Sequence, residues 1–345
     1  MPARNRHWVL AALAVAAVLI AVQFGPHFLG PESTPLVVYC AHDQEFAEAI
    51  LRDFERDTGI PVAVKYDSEA TKSLGLVNLL IEEKEHPQCD VFWNNELLGT
   101  VELKDQGLLI PYRGSGFERI PERFKDPEGY WAGFAARLRV YIVNTKRFAA
   151  SEAAIEAHLE DSDDLTRVAI AQPLFGTTLT HYTLLWHALG ADRLKEWHAD
   201  LRRRGIQEVK GNANTKNAVV EGACDIGFTD SDDFFVAKDG GHPVEMVPIR
   251  VSSETICIPN SVGIVRGTKQ LPKAQKLVDF LLSAGTELRL AKSKSRQIPL
   301  GPVSDAELPE EVHPLVSWGA EGADLRPLLP DRRAVIEWLK SESLR

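Results

Sequence analysis

The chain is 345 residues long, 44% hydrophobic and 26% charged, with 39 Lys and Arg set against 49 Asp and Glu for a formal net charge of −10. That composition is globular and not disordered, and the length leaves room for two domains with a sizeable core. The acidic balance lacks the clustered basic residues that meet nucleic acid or an anionic membrane surface, so small solutes and cations are the expected partners and nucleic acid is not.

Arg4 and Arg6 precede an uncharged run of 17 residues, Trp8 to Phe24, followed by Gly25-Pro26. A positive start and an apolar stretch within residues 1–30 read as an export signal, or as an uncleaved N-terminal anchor, because no small-residue cleavage site stands out. Either places the globular part outside the cytoplasm. From Leu36 onward strand and helix patterns alternate. "LVVYC" (36–40) is a strand, and residues 43–59 form a helix with Phe46, Ile50 and Phe54 on one face and Gly59 at its end. Strands at 62–66 and 89–93 alternate with helices at 70–84 and 96–107. A long strand at 137–143 carries the chain into a second block, where 167–171 and 226–229 read as strands and 177–190, 193–205 and 214–225 as helices. The run 254–265 offers a return path, 272–285 reads as a first-lobe helix, and 333–344 as a docking helix. Repeated βα units imply an α/β fold with a mainly parallel sheet. Two lobes, 36–136 plus 258–345 and 137–257, joined by two crossing strands, would enclose a cleft with a hinge. The four cysteines, Cys40, Cys89, Cys224 and Cys257, contain no C-x-x-C pair and sit in or beside apolar runs. Buried free thiols are expected, one disulfide being the alternative.

In open α/β sheets ligands lie beyond the carboxyl ends of the strands, so the residues that follow each strand are the candidates. His42, Asp43, Glu96, Asp230, Asp232 and Asp233 could hold a cation between the lobes. Carboxylates suit hard ions, and His widens the choice to first-row transition metals. Helix capping and solvation are the alternative for the carboxylates, and a surface or structural role for His42. Ser68, Thr71, Lys72, Thr177, Thr178, Asn214, Thr215 and Lys216 fall where helix N-termini would face the cleft, a natural place for an anion. Trp93 ends the "CDVFW" strand and is the one aromatic expected at the cleft, where it could stack on an organic cation, core packing being the alternative; Asn95 stands beside it. No G-x-S-x-G, H-E-x-x-H or G-x-x-x-x-G-K is present, and His181, His187 and His198 read as surface or packing residues, so an enzyme, such as a hydrolase, is the lesser reading.

The succession of "LVVYCAHDQEFAEAILRDFERDTGIPVAVKY", "PQCDVFWNNELLGTVELKDQGLL", "RFKDPEGYWAGFAARLRVYIVNT", "NANTKNAVVEGACDIGFTDSDD" and "GHPV" resembles the periplasmic solute-binding proteins of ABC importers, specifically the class II group that includes ferric-ion-binding proteins. The resemblance spans roughly positions 36–290. It implies a two-lobed class II fold, a monomer that delivers its ligand to a membrane permease, and ferric iron or another metal ion as cargo, with or without a synergistic anion such as carbonate. The usual pair of adjacent tyrosines after the strand at 225–229 is replaced here by Ser231 and Asp232. The usual His aligns with Asp43, next to His42, and the usual Glu with Asn95 and Glu96. A small organic cation of thiamine or polyamine type, or a phosphonate or phosphate ester, therefore stays open as cargo.

Overall fold

The computed structural model describes residues 34–67 and 74–342; the N-terminal segment 1–30 and the candidates Ser68, Thr71 and Lys72 lie outside the described residues. β1 (Leu36–Cys40) leads into α1 (Gln44–Thr58), which buries Phe46, Ile50 and Phe54 as its spacing predicts. It stops at Gly59, whose φ of 69° is the left-handed cap geometry that a glycine adopts without steric cost. There follow β2 (Val62–Tyr66), α2 (Leu74–Glu82), β3 (Val91–Asn94), α3 (Leu98–Asp105), β4 (Leu109–Ile110) and the single turn α4 (Ser115–Glu118). β5 (Ala132–Asn144) then begins a second block of α5 (Glu152–Asp161), β6 (Val168–Ala171), α6 (Gly176–Leu189), α7 (Ala191–Arg203), β7 (Gln207–Val209), α8 (Asn212–Val220), β8 (Ile226–Asp230), α9 (Ser231–Asp239) and β9 (Val244–Pro248). A hairpin of β10 (Arg250–Val251) and β11 (Glu254–Thr255) turns the chain back through β12 (Cys257–Val265) to α10 (Leu271–Leu281), α11 (Ala284–Lys292), α12 (His313–Ala320) and α13 (Leu329–Glu342).

The strands form one sheet in the order β2-β1-β3-β12-β5-β8-β6-β7, with β4 beside β12 and β9 beside β5. β2, β1 and β3 are parallel, as are β8, β6 and β7, and the two blocks are joined by antiparallel β12 and β5. β5 is shared between them: its first half, through Leu138, pairs with β12, and Arg139 to Val143 pair with β8. A strand that changes partners must twist locally. Ala135 accordingly takes φ 43°, and the β12 register shifts between Ile258 and Asn260. The two crossing strands expected from the sequence are thus β5 and β12, adjacent at the centre of the sheet.

The C-terminal helix, within the 258–345 expected for the first block, contacts both blocks. Trp338 of α13 meets Tyr182, Trp186 and His198 of the second block, while Arg332 pairs with Glu102 on α3 of the first. All four cysteines are buried thiols, and burial raises the Cys224 thiol to about 11 and the Cys257 thiol to about 12, so neither carries reactive thiolate at neutral pH. Among the described residues no helix is long and apolar enough to cross a membrane.

The bend at Ala135 is held by a buried carboxylate. Glu287 accepts from the backbone N–H of Ala135 at 2.9 Å, Leu300 at 2.8 Å and Gly301 at 3.1 Å, and pairs with Arg119 at 2.6 Å. Replacing it with Leu strands three donors and a cation together. Glu287→Leu is expected to lower stability by about 3–5 kcal/mol in urea unfolding, whereas Glu287→Gln, which keeps one acceptor oxygen, should cost less.

Candidate functional site

The carboxyl ends of β1, β3 and β8 and the starts of α1, α6, α8 and α9 converge on a cavity of about 90 Å³, lined among others by Asp43, Asn95, Arg137, Thr177, Lys216 and Asp233. Its walls come from both blocks of the sheet, as the rule for open α/β sheets requires. The floor is β5.

Two arginines of that strand, absent from the expectations above, answer the acidic "TDSDD". Arg139 is fully buried; its Nη1 donates to Asp230 Oδ1 at 2.8 Å and to Asn212 Oδ1 at 2.9 Å. The second oxygen of Asp230 accepts from Thr177 Oγ1 at 2.6 Å and Asn212 Nδ2 at 2.9 Å. Arg137 places Nε 3.1 Å from Asp232 Oδ2, too far off line for a hydrogen bond, so that contact is ionic. Its Nη1 donates to the Asn95 carbonyl at 2.7 Å, and Nη2 donates to Asn260 Oδ1 at 3.1 Å and to His42 Nδ1 at 3.2 Å. Carboxylates this deeply placed need such partners, because an unpaired buried charge costs several kcal/mol. The signal was present in "ARLRVYIV": Arg at i and i+2 of an apolar strand must share one face.

Several candidates have structural duties instead. His42 is 3% exposed and spends both ring nitrogens: Nδ1 accepts from Arg137, and Nε2 lies 2.9 Å from the Gln297 amide, whose oxygen, turned toward it, accepts the Nε2 proton. It is therefore held away from the metal-ligand role expected of it. Glu96 caps α3, accepting from the N–H of Leu98 at 2.6 Å and Gly99 at 2.7 Å, with Asn94 Nδ2 at 3.1 Å. A Cβ on Gly99 would sit 2.7 Å from that carboxylate, which is why glycine occupies the position. Trp93, expected at the cleft, is 0% exposed, tilted against His42 and Phe134 in the core, so the stacking platform for an organic cation is absent there.

Thr177 does face the cleft, through its bond to Asp230, while Thr178 bonds Asn212 Oδ1 at 3.2 Å. Thr215 is buried and bonds back to the Gly211 carbonyl of its own helix, and Asn214 is exposed. Asp43 lines the cavity at the start of α1 without capping it. Asn95 lines it too, and its buried side-chain oxygen meets no donor among the described residues. His181 and His198 are buried packing residues, and half-exposed His187 pairs with Asp331 at 2.8 Å. Burial, and then the Arg139 charge, hold the His181 pKa well below its usual value. Among the described residues no three His, Cys, Asp or Glu side chains are already gathered around one point as metal ligands.

Asp233 accepts from Thr229 Oγ1 at 2.8 Å, but burial, then the neighbouring Asp232 and Asp230, push its carboxyl pKa well above the usual range. A carboxyl raised in the folded state keeps its full contribution to stability below its unfolded pKa of about 4 and loses it as pH rises toward the folded value. Asp233→Asn does not titrate. In the metal-free protein the urea midpoint of Asp233→Asn should therefore gain on wild type steadily from about pH 4 to neutrality.

A family model described as bacterial extracellular solute-binding protein matches residues 36–292. An uncharacterized protein of Haemophilus influenzae is 26% identical over 308 residues, covering 83% of this chain and 84% of the relative. The fold is shared with iron-bound HitA from Pseudomonas aeruginosa, at TM-score 0.74 and 20% identity over 88% of this chain and 99% of that one. It is shared equally with AfuA from Actinobacillus pleuropneumoniae, solved with exogenous fructose-6-phosphate, at TM-score 0.73 and 20% identity over 90% and 99%. These structures are two-lobed periplasmic binding proteins, the architecture that the resemblance implied. By its matched span and its fold, the chain belongs to the bacterial extracellular solute-binding proteins, which bind a solute for transport and are not enzymes.

Proposed function

We propose that this protein is an exported, monomeric receptor that captures a metal cation, ferric iron foremost, and hands it to an ABC permease. The observation that carries the reading is the charge of the cleft. Asp43, Glu45, Asp230, Asp232 and Asp233 line it against Arg137 and Lys216, with Arg139 behind Asp230. With the Asp233 carboxyl held protonated by its raised pKa, four carboxylates still face three cationic groups, and the excess attracts a cation. Iron-bound HitA, on the same fold, supports iron as the cation. In this reading the lobes 36–136 plus 258–345 and 137–257 close about β5 and β12, bringing the carboxylates onto the ion only when it is present. Synchrotron small-angle scattering should register a smaller radius of gyration at saturating ferric nitrilotriacetate, and an unchanged radius at saturation would count against it.

Arg137 and the starts of α6 and α8 favour a second reading, a phosphorylated solute, for which AfuA with fructose-6-phosphate supplies the precedent on this fold. Calorimetric titration with ferric nitrilotriacetate and with fructose 6-phosphate separates the two. Among the described residues no tyrosine lines the cleft, so an iron complex held here has no phenolate ligand. The ferric protein should be pale; an intense visible charge-transfer band on loading would move the site away from this cavity.

A further inference from the structure

A ligand set that mixes one imidazole with carboxylates accepts borderline transition metals as readily as hard cations. The arrangement around His42 removes that ambiguity. Arg137, 1% exposed, places Nη2 3.2 Å from His42 Nδ1 while Gln297 stands 2.9 Å from Nε2, so neither ring nitrogen is offered to the cavity. The same guanidinium reaches Asp232 at 3.1 Å and the Asn95 carbonyl at 2.7 Å, and so fills the space that an ion shared by His42 and Asp232 would need. The acceptor side chains that line the cavity carry oxygen: Asp43, Glu45, Asp230, Asp232, Asp233 and Asn95, the last 3% exposed with its side-chain oxygen buried and without a donor among the described residues. An unpaired acceptor buried at an acidic cavity costs free energy until a cation or donor meets it.

We propose that Arg137 is a specificity-determining residue: by engaging His42 it withdraws the nitrogen ligand and leaves an all-oxygen site, which takes hard cations such as Fe3+ and refuses imidazole-seeking ions such as Zn2+. The inference rests on the cation reading of the cleft and refines it. Oxygen donors match small, highly charged ions, whereas Zn2+ draws much of its affinity in proteins from His and Cys.

The test titrates Ga3+, supplied as its nitrilotriacetate complex, and Zn2+ into wild type, Arg137→Gln and the double variant Arg137→Gln/His42→Ala, each checked for folding by circular dichroism. Wild type should bind Ga3+ and bind Zn2+ weakly. Arg137→Gln should gain at least about tenfold in Zn2+ affinity, about 1.4 kcal/mol, and the double variant should lose that gain. No gain in folded Arg137→Gln overturns the inference, whereas absence of Ga3+ binding to wild type overturns the cation reading itself. Should Arg137→Gln fail to fold, imidazole nitrogen NMR on wild type decides. His42 signals that stay in the Nε2–H form through stoichiometric Zn2+ support the inference, and signals that shift with Zn2+ sink it.

Discussion

The Arg139–Asp230 pair, with Arg137–Asp232 beside it, is the constraint around which the rest of the molecule is arranged. Arg139 stands opposite Asp230 in the β5–β8 register, so the ion pair and the strand pairing specify each other. A fully buried guanidinium tolerates few positions, because its charge must meet a carboxylate inside the protein. Asn212 and Thr177 are drawn in to complete the shell around Asp230, and with them the starts of α8 and α6. Ser231 adds a further tie by accepting from the Leu138 N–H at 3.1 Å, where β5 leaves β12 for β8. The geometry of the cleft is therefore set by electrostatics at the one place where the sheet changes partners.

That arrangement explains why an acidic cluster can sit at a strand end without unfolding it. Asp230 and Asp232 are compensated from below, by the strand, and not by solvent. Asp233 has a threonine hydroxyl and no arginine among its described partners, and its raised pKa records the difference. The cleft thus separates carboxylates fixed by arginines, which shape the binding surface, from one whose charge its surroundings disfavour.

Much of the fold was legible in the sequence because local patterns bear it. The Phe46, Ile50 and Phe54 face, the Gly59 stop and the alternation of short apolar strands with helices each need only a few neighbouring residues to be read. The site was less legible, since its decisive contacts join distant positions. Arg139 meets Asp230 across 91 residues and Arg137 meets His42 across 95. Position after a strand correctly drew attention to Asp43, Asn95, Asp230, Asp232 and Asp233, all of which line the cavity. It could not tell that Glu96 turns back onto the N–H groups of Leu98 and Gly99, or that Trp93 points away into the core, because a strand's pleat decides such directions and one residue of offset reverses them.

The last helix carries a mechanical consequence. α13 is fastened to α3 through Arg332 and Glu102 and to the second block through Trp338 against Tyr182 and Trp186. A motion that spreads α3 from α6 must break the ion pair or peel the indole away. α13 therefore acts as a strap: separating these two helices costs either a buried guanidinium its carboxylate or an indole its aromatic neighbours.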